Sequence, residues 1–246
     1  MIKSGATTKK YTALFITAFA SFITPFLGSS INVALPEIGD HFSMDAITLS
    51  WVTTIYLLSA AVFLIPFGKL ADIYGRRKVF IYGVSIVAIS SLLAAFTPNA
   101  LIFMVLRVLQ GFGSAMIFGT GIAIITSVFP KSERGKAMGI NVASVYIGLT
   151  MGPFAGGMLT NQLGWESIFL AIGPLGIVVV FLSIYGLKQE WAEAKNDRFD
   201  WQGALVYGIS LCLFMYGLSV IPKMIGFLFI AVGIVGMVIF TKIQIR

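Results

Sequence analysis

Eight long stretches of this chain contain no Asp, Glu, Lys or Arg: 11–36, 46–68, 79–106, 108–130, 137–165, 167–187, 201–222 and 224–241. A helix needs about 20 apolar residues to cross the hydrocarbon of a bilayer, and every stretch meets that length, the last only just. Within lipid a segment must satisfy its own backbone, which a helix does. Composition agrees, with 58% hydrophobic and only 11% charged residues, where a soluble domain carries about 25% charged. The third and fourth stretches are divided only by Arg107. Thr97-Pro98-Asn99 is the better turn between them, because Pro and Asn break helices. That places Arg107 inside the fourth span, about 10 Å along it at 1.5 Å per residue. The expectation is an all-α membrane protein with a six-helix bundle over 1–187, a charged linker over 188–200 that forms surface helix and loop, and two further spans over 201–246.

Lys3, Lys9 and Lys10 before the first apolar run resemble the start of a signal peptide, but the run is too long and more spans follow. With the N-terminus inside, Lys3, Lys9, Lys10, Lys69, Arg76, Arg77, Lys78, Lys131, Arg134, Lys136, Lys188, Lys195, Arg198, Lys242 and Arg246 fall on one side, 15 of the 17 basic residues. Such a bias orients a multi-pass protein with both termini cytoplasmic in the cell membrane. The net charge of +7 is therefore a topology signal and does not indicate nucleic acid. The outer loops carry Glu37, Asp40, His41, Asp45 and Glu166, with His41 read as solvated. Trp51, Trp165, Trp191 and Trp201 stand near span ends, as interfacial aromatics do. Cys212, the one cysteine, excludes an intrachain disulfide and reads as a packing residue among apolar neighbours. The spans offer no His, Asp or Glu for metal binding or acid–base work, which argues against a membrane-embedded enzyme. No cofactor motif is present, since the Gly-x-Gly in span four follows no strand.

Three motifs carry a resemblance. After span two the chain reads Gly68-Lys69-Leu70-Ala71-Asp72-Ile73-Tyr74-Gly75-Arg76-Arg77-Lys78, with Asp72 and Arg76 spaced to pair if the segment stays helical. Span four contains Arg107-Val108-Leu109-Gln110-Gly111-Phe112-Gly113, in which Arg107, Gln110 and Gly111 share a face. Span five contains Gly148-Leu149-Thr150-Met151-Gly152-Pro153-Phe154-Ala155-Gly156-Gly157, a small-residue groove suited to close helix packing, with Pro153 inviting a bend. These segments resemble the signature loop, the span-four R-x-x-Q-G-x-G motif and the antiporter motif of the major facilitator superfamily. The resemblance spans the chain but only the first half of a family protein, and the two extra spans point to the fourteen-span drug–proton antiporter branch.

The resemblance implies a six-helix N-terminal half of inverted 3+3 repeats plus two linking helices, with substrate at the midplane between two halves. Gly68, Asp72, Gly75, Arg76 and Arg77 would form a conformational-switch loop, and Gly148, Gly152, Pro153, Gly156 and Gly157 the antiporter element. The glycines of spans two and five would face a partner half. Arg107, Gln110 and Asn32, with an aromatic face of span one, would contribute to the cavity and coupling route. A buried arginine is a functional hypothesis by default, though a structural role on helix carbonyls is open too. The acidic position of the branch's span-one motif falls on Gly28, and no carboxylate stands inside any span. The implied activity is proton-coupled export of an amphipathic organic compound. Its partners would be the bilayer, the substrate, protons, and a missing C-terminal half or a second copy. The alternative is a non-transporting fragment or a half-transporter module. Lys242 to Arg246 look like an inside loop cut short.

Overall fold

The computed structural model describes residues 2–195 and 197–245, with side chains from Lys9 to Gln244. Arg246 and the Lys3 side chain lie outside the described residues. The described chain is helical: α1 (Ile2–Phe42), α2 (Ala46–Tyr74), α3 (Arg76–Ala94), α4 (Ala100–Val128), α5 (Lys131–Leu163), α6 (Glu166–Gly186), α7 (Trp201–Ser219) and α8 (Met224–Ile245). Each is long and apolar enough to cross a membrane, with best 18-residue windows of mean hydropathy 1.3 to 2.6.

Local chemistry sets the boundaries. Asp45, Asn99 and Asp200 cap the N-termini of α2, α4 and α7, accepting hydrogen bonds from the backbone of Thr48, Ile102 and Gly203 at 2.8, 3.0 and 2.8 Å. Such caps satisfy donors that a helix start leaves free. The expected turn at Thr97-Pro98-Asn99 is present, and Arg107 lies in α4. Gly75 alone joins α2 to α3, at φ 116°, a conformation open to glycine at little cost.

The expected start of an outer loop at Glu37 is corrected. α1 continues through Pro36 to Phe42, so Glu37, Asp40 and His41 are helical. Ile31, Ala34 and Ile38 are fully buried along one face across the proline, and this packing outweighs the one backbone bond that proline removes. His41 remains exposed, edge-on to Trp165 at 5.4 Å. Trp165 is itself buried, enclosed by Phe42, Phe103 and Phe169 with ring centroids 5.4–5.9 Å away. It belongs to an aromatic plug in the core and not to an interfacial belt. Cys212, expected to pack inside, is exposed on α7. The linker 188–200 forms a turn and extended chain, with no helix among its described residues.

The packed pairs among the first six helices have an internal symmetry. They are α1·α5 and α2·α4, α3·α4 and α1·α6, α2·α3 and α5·α6, α1·α2 and α4·α5, with α3·α6 and α1·α4. Exchanging 1 with 4, 2 with 5 and 3 with 6 maps this set onto itself. Helices 1 and 4 run in opposite senses in an up-and-down chain, so the relation is an inverted repeat. The α7–α8 hairpin stands outside this pattern, packing on itself and on α2. There the Tyr207 hydroxyl donates to the Ala61 carbonyl at 3.1 Å.

Candidate functional site: a buried arginine, two seams and a linker lock

Arg107 is fully buried inside the bundle, in the first third of α4. Its Nε donates to the Val52 carbonyl of α2 at 3.1 Å and its Nη1 to Gln110 Oε1 at 2.7 Å. The guanidinium lies 4.5 Å from the centroid of the Tyr56 ring, a cation–π contact. Nη2 has no partner. Gln110 Nε2 reaches Ser91 Oγ of α3 at 3.3 Å. The Tyr56 hydroxyl donates to the Thr24 carbonyl of α1 at 2.9 Å and stands 3.0 Å from Ser114 Oγ. One polar network thus ties α1, α2, α3 and α4 together inside the bundle. Gly111 makes the approach possible, since a Cβ there would fall 2.7 Å from Ser59 Cβ.

Two recesses lie along α1, and the smaller of them adjoins this network through Tyr56. One, of about 300 Å³, is lined by Gly28, Ser29, Asn32, Thr53 and Tyr56, with Phe118 and Leu149 opposite. Asn32 sits in it and accepts a hydrogen bond from Thr53 Oγ1 at 2.9 Å. The other, about 510 Å³, runs between α1 and α5 along Tyr11, Phe15, Phe19, Phe22, Ile140 and Ser144. The rings of Phe15, Phe19, Phe22 and Phe26 follow one another at 5.5–6.4 Å. Of the residues expected at the cavity, Asn32 and the aromatic face of α1 are open to these recesses. Gln110 and Arg107 are buried, and Tyr56 separates the arginine from the smaller recess.

The glycine row of α5 does not face away from the chain, which corrects the expectation of a partner half there. Gly148, Gly152 and Gly156 are buried against α1. A Cβ on Gly148 would fall 2.5 Å from the Phe22 carbonyl oxygen, and one on Gly156 2.6 Å from Ser30 Cβ. Ser29 and Ser30 donate across the seam to the Gly148 and Gly152 carbonyls at 3.4 and 3.1 Å. Gly157 meets only Val33, and α5 continues through Pro153 to Leu163. Gly68 on α2 does look outward, and a Cβ there would meet nothing within 4 Å.

The loop between α2 and α3 is tied to the linker after α6, a partnership that sequence spacing did not reveal. Arg76 bonds Asp72 at 2.8 Å even though Gly75 interrupts the helix between them. Its guanidinium also forks onto both oxygens of Glu193 at 2.7 and 2.9 Å and reaches Ser127 Oγ at 2.7 Å. Arg77 donates to the carbonyls of Leu187 and Ile184, and its backbone N–H to Glu190. Lys69 pairs with Asp197. Two main-chain bonds, Arg76 N–H to Trp191 at 2.8 Å and Ala194 N–H to Asp72 at 2.9 Å, stitch the same segments. A Cβ on Gly75 would collide with Glu190.

The Major Facilitator Superfamily family model matches residues 17–244. The chain is 32% identical over 238 residues to the riboflavin transporter RibZ of Clostridioides difficile, covering 97% of this chain and 51% of that protein. It is 35% identical to the multidrug resistance protein Stp of Mycobacterium tuberculosis, over 78% of this chain and 36% of that protein. It is 32% identical to the cephamycin export protein CmcT of Amycolatopsis lactamdurans, over 88% of this chain and 46% of that protein. The chain spans about half the length of these curated relatives, or less. The inverted-repeat packing, the eight membrane-type helices and the family match together make this chain a member of the Major Facilitator Superfamily.

Proposed function

We propose that this chain forms one half of a secondary transporter that exports amphipathic organic compounds in exchange for protons. Residues 1–187 form the transporting bundle, 188–200 the linker and 201–246 an added hairpin. Both termini lie at the cytoplasmic face of the cell membrane, as the basic residues at one end of the bundle favour. Substrate is held between this bundle and a second half. The observation that carries the reading is the apolar recess on α1 that has Asn32 and Tyr56 as polar handles and lies beside a buried arginine, with a second apolar recess further along α1. The names of two relatives, a multidrug resistance protein and a cephamycin export protein, support the direction of transport. Arg107 belongs to the coupling route. Gly68, Asp72, Gly75, Arg76 and Arg77 act as a switch whose closed position is held by the linker, and the Gly148–Gly157 segment is the surface on which α1 and α5 move.

The test is efflux by the full-length protein in proteoliposomes. Export driven by an imposed proton gradient is expected, with loss on collapse of the gradient and in Arg107→Ala. Transport indifferent to both manipulations overturns the reading. A second reading is a half-transporter module that acts only with a partner half. Size measurement of the 246-residue chain in detergent separates them: a monomer without transport argues against the module, and a stable pair with transport argues for it.

A further inference from the structure

The buried guanidinium of Arg107 has no anion near it. The ten Asp and Glu residues stand at the two ends of the bundle. Glu37, Asp40, Asp45 and Glu166 are at one end, and Asp72, Glu133, Glu190, Glu193, Asp197 and Asp200 at the other. What surrounds the guanidinium is neutral: a carbonyl of α2, the Gln110 amide and the Tyr56 ring. Arginine keeps its charge under all ordinary conditions. A buried charge is costly unless paired, and in a low-dielectric interior an arriving anion is attracted far more strongly than in water. Two polar atoms at this point are buried and unpartnered, Arg107 Nη2 and Thr24 Oγ1. Thr24 is the residue whose carbonyl holds the Tyr56 hydroxyl.

Tyr56 is the partition between this charge and the smaller recess. Its ring covers the guanidinium and also lines the recess, where Gly28 stands opposite. A Cβ at position 28 would fall 3.2 Å from Tyr56 Cε1, so the ring packs closely on the Gly28 backbone, an approach that depends on residue 28 having no side chain. The recess is about 300 Å³, at the lower end of the range for small-molecule sites. Its walls are apolar apart from Ser29, Asn32, Thr53 and Tyr56.

We propose that Arg107 is the binding site for an acidic group on the transported compound. An amphipathic aromatic acid enters the recess between α1, α2 and α5, the Tyr56 ring turns aside, and the carboxylate or sulfonate pairs with the guanidinium. The substrate then supplies the negative charge that the bundle lacks. The inference rests on the transport reading for its biological sense, but binding is measured at equilibrium without a gradient, so either can fail alone.

The test uses the full-length protein in lipid nanodiscs, with empty discs subtracted. Two fluorescent probes share one ring skeleton: 8-anilinonaphthalene-1-sulfonate and the neutral N-phenyl-1-naphthylamine. The wild-type protein is expected to bind the sulfonate about tenfold more tightly or better, the effect of one charge-assisted bond. Arg107→Gln should erase that preference while the neutral probe still binds. Gly28→Asp should erase it too, by placing a negative charge on the recess side of the Tyr56 ring that competes with the sulfonate for the guanidinium, and it leaves Arg107 in place should the first variant fail to fold. Equal affinity for the two probes in the wild type, or a sulfonate preference that survives Gly28→Asp, overturns the proposal.

Discussion

The inverted repeat makes the α1–α5 seam and the α2–α4 seam equivalents of each other, yet they are held by different chemistry. Across the first, three glycines meet α1 and two serine hydroxyls donate to carbonyls. Across the second, Gly111 also meets α2, but there a buried arginine donates to a carbonyl, an aromatic ring covers its charge, and Ser59 returns a bond to the Val108 carbonyl at 2.8 Å. Small residues with weak, non-directional contacts let two helices slide with little loss. A guanidinium fixed by a carbonyl, an amide and a ring does not slide without breaking charge-assisted bonds. Equal geometry thus gives one seam suited to movement and one suited to holding position.

The largest effect that bears on this difference is steric. Gly152→Val should destabilise the folded bundle by about 3 kcal/mol, the upper end for overpacking a tight contact, because the new side chain meets Ser29 and the Phe26 carbonyl. Gly68→Val, where nothing stands within 4 Å, should leave thermal stability in detergent unchanged. If both variants melt alike, the α1–α5 seam is not tightly packed and the comparison breaks.

Arg107→Ala should cost about 2 kcal/mol, from the lost cation–π contact and a Gln110 oxygen left without its donor. The distinguishing measurement is its combination with Gly152→Val. Tyr56 reaches α1 at Thr24 and Gly28, beside the Ser29 that Gly152 meets, so effects that add to within about 0.5 kcal/mol would show the seams to be energetically independent despite this shared stretch of α1. A large coupling would mean that the seams act as one unit.

The eight spans, the Pro98-Asn99 turn and the depth of Arg107 were legible in the sequence because each depends on local chemistry: charge gaps, helix breakers and rise per residue. The facing of the glycines was not legible. A G-x-x-x-G row states that a helix is approached closely but carries no label for the neighbour, and here the neighbour is α1. Tyr56 was invisible for a related reason, since an aromatic residue on an apolar helix gives no periodic signal of the cation behind it. The linker's hold on the α2–α3 loop needed Glu193 to meet Arg76 across 117 positions, a pairing set only by the return of α6 beside α3.

That linker offers a smaller effect outside both seams. Glu193 is largely exposed while Arg76 is nearly buried. Glu193→Ala should therefore cost about 1 kcal/mol at low ionic strength and less in salt. Trypsin cleavage at Lys195 and Arg198 should quicken several-fold. Unchanged cleavage would mean that the two main-chain bonds to Trp191 and Asp72 suffice to hold the segment.

The smallest expected effect is the most pointed for the comparison. Ser30→Ala removes the hydroxyl that donates to the Gly152 carbonyl at 3.1 Å and leaves the glycine contact intact. Interhelical hydrogen bonds in membranes average about 0.6 kcal/mol, and the freed carbonyl keeps its own helical bond within α5. A loss of that size, visible as a slight drop in melting temperature with folded yield unchanged, is what a seam held by packing would give. A loss matching that of Arg107→Ala would mean that the hydroxyl, and not the glycine row, fixes α1 on α5. The two seams would then be equally rigid, and the site of movement would have to be sought elsewhere.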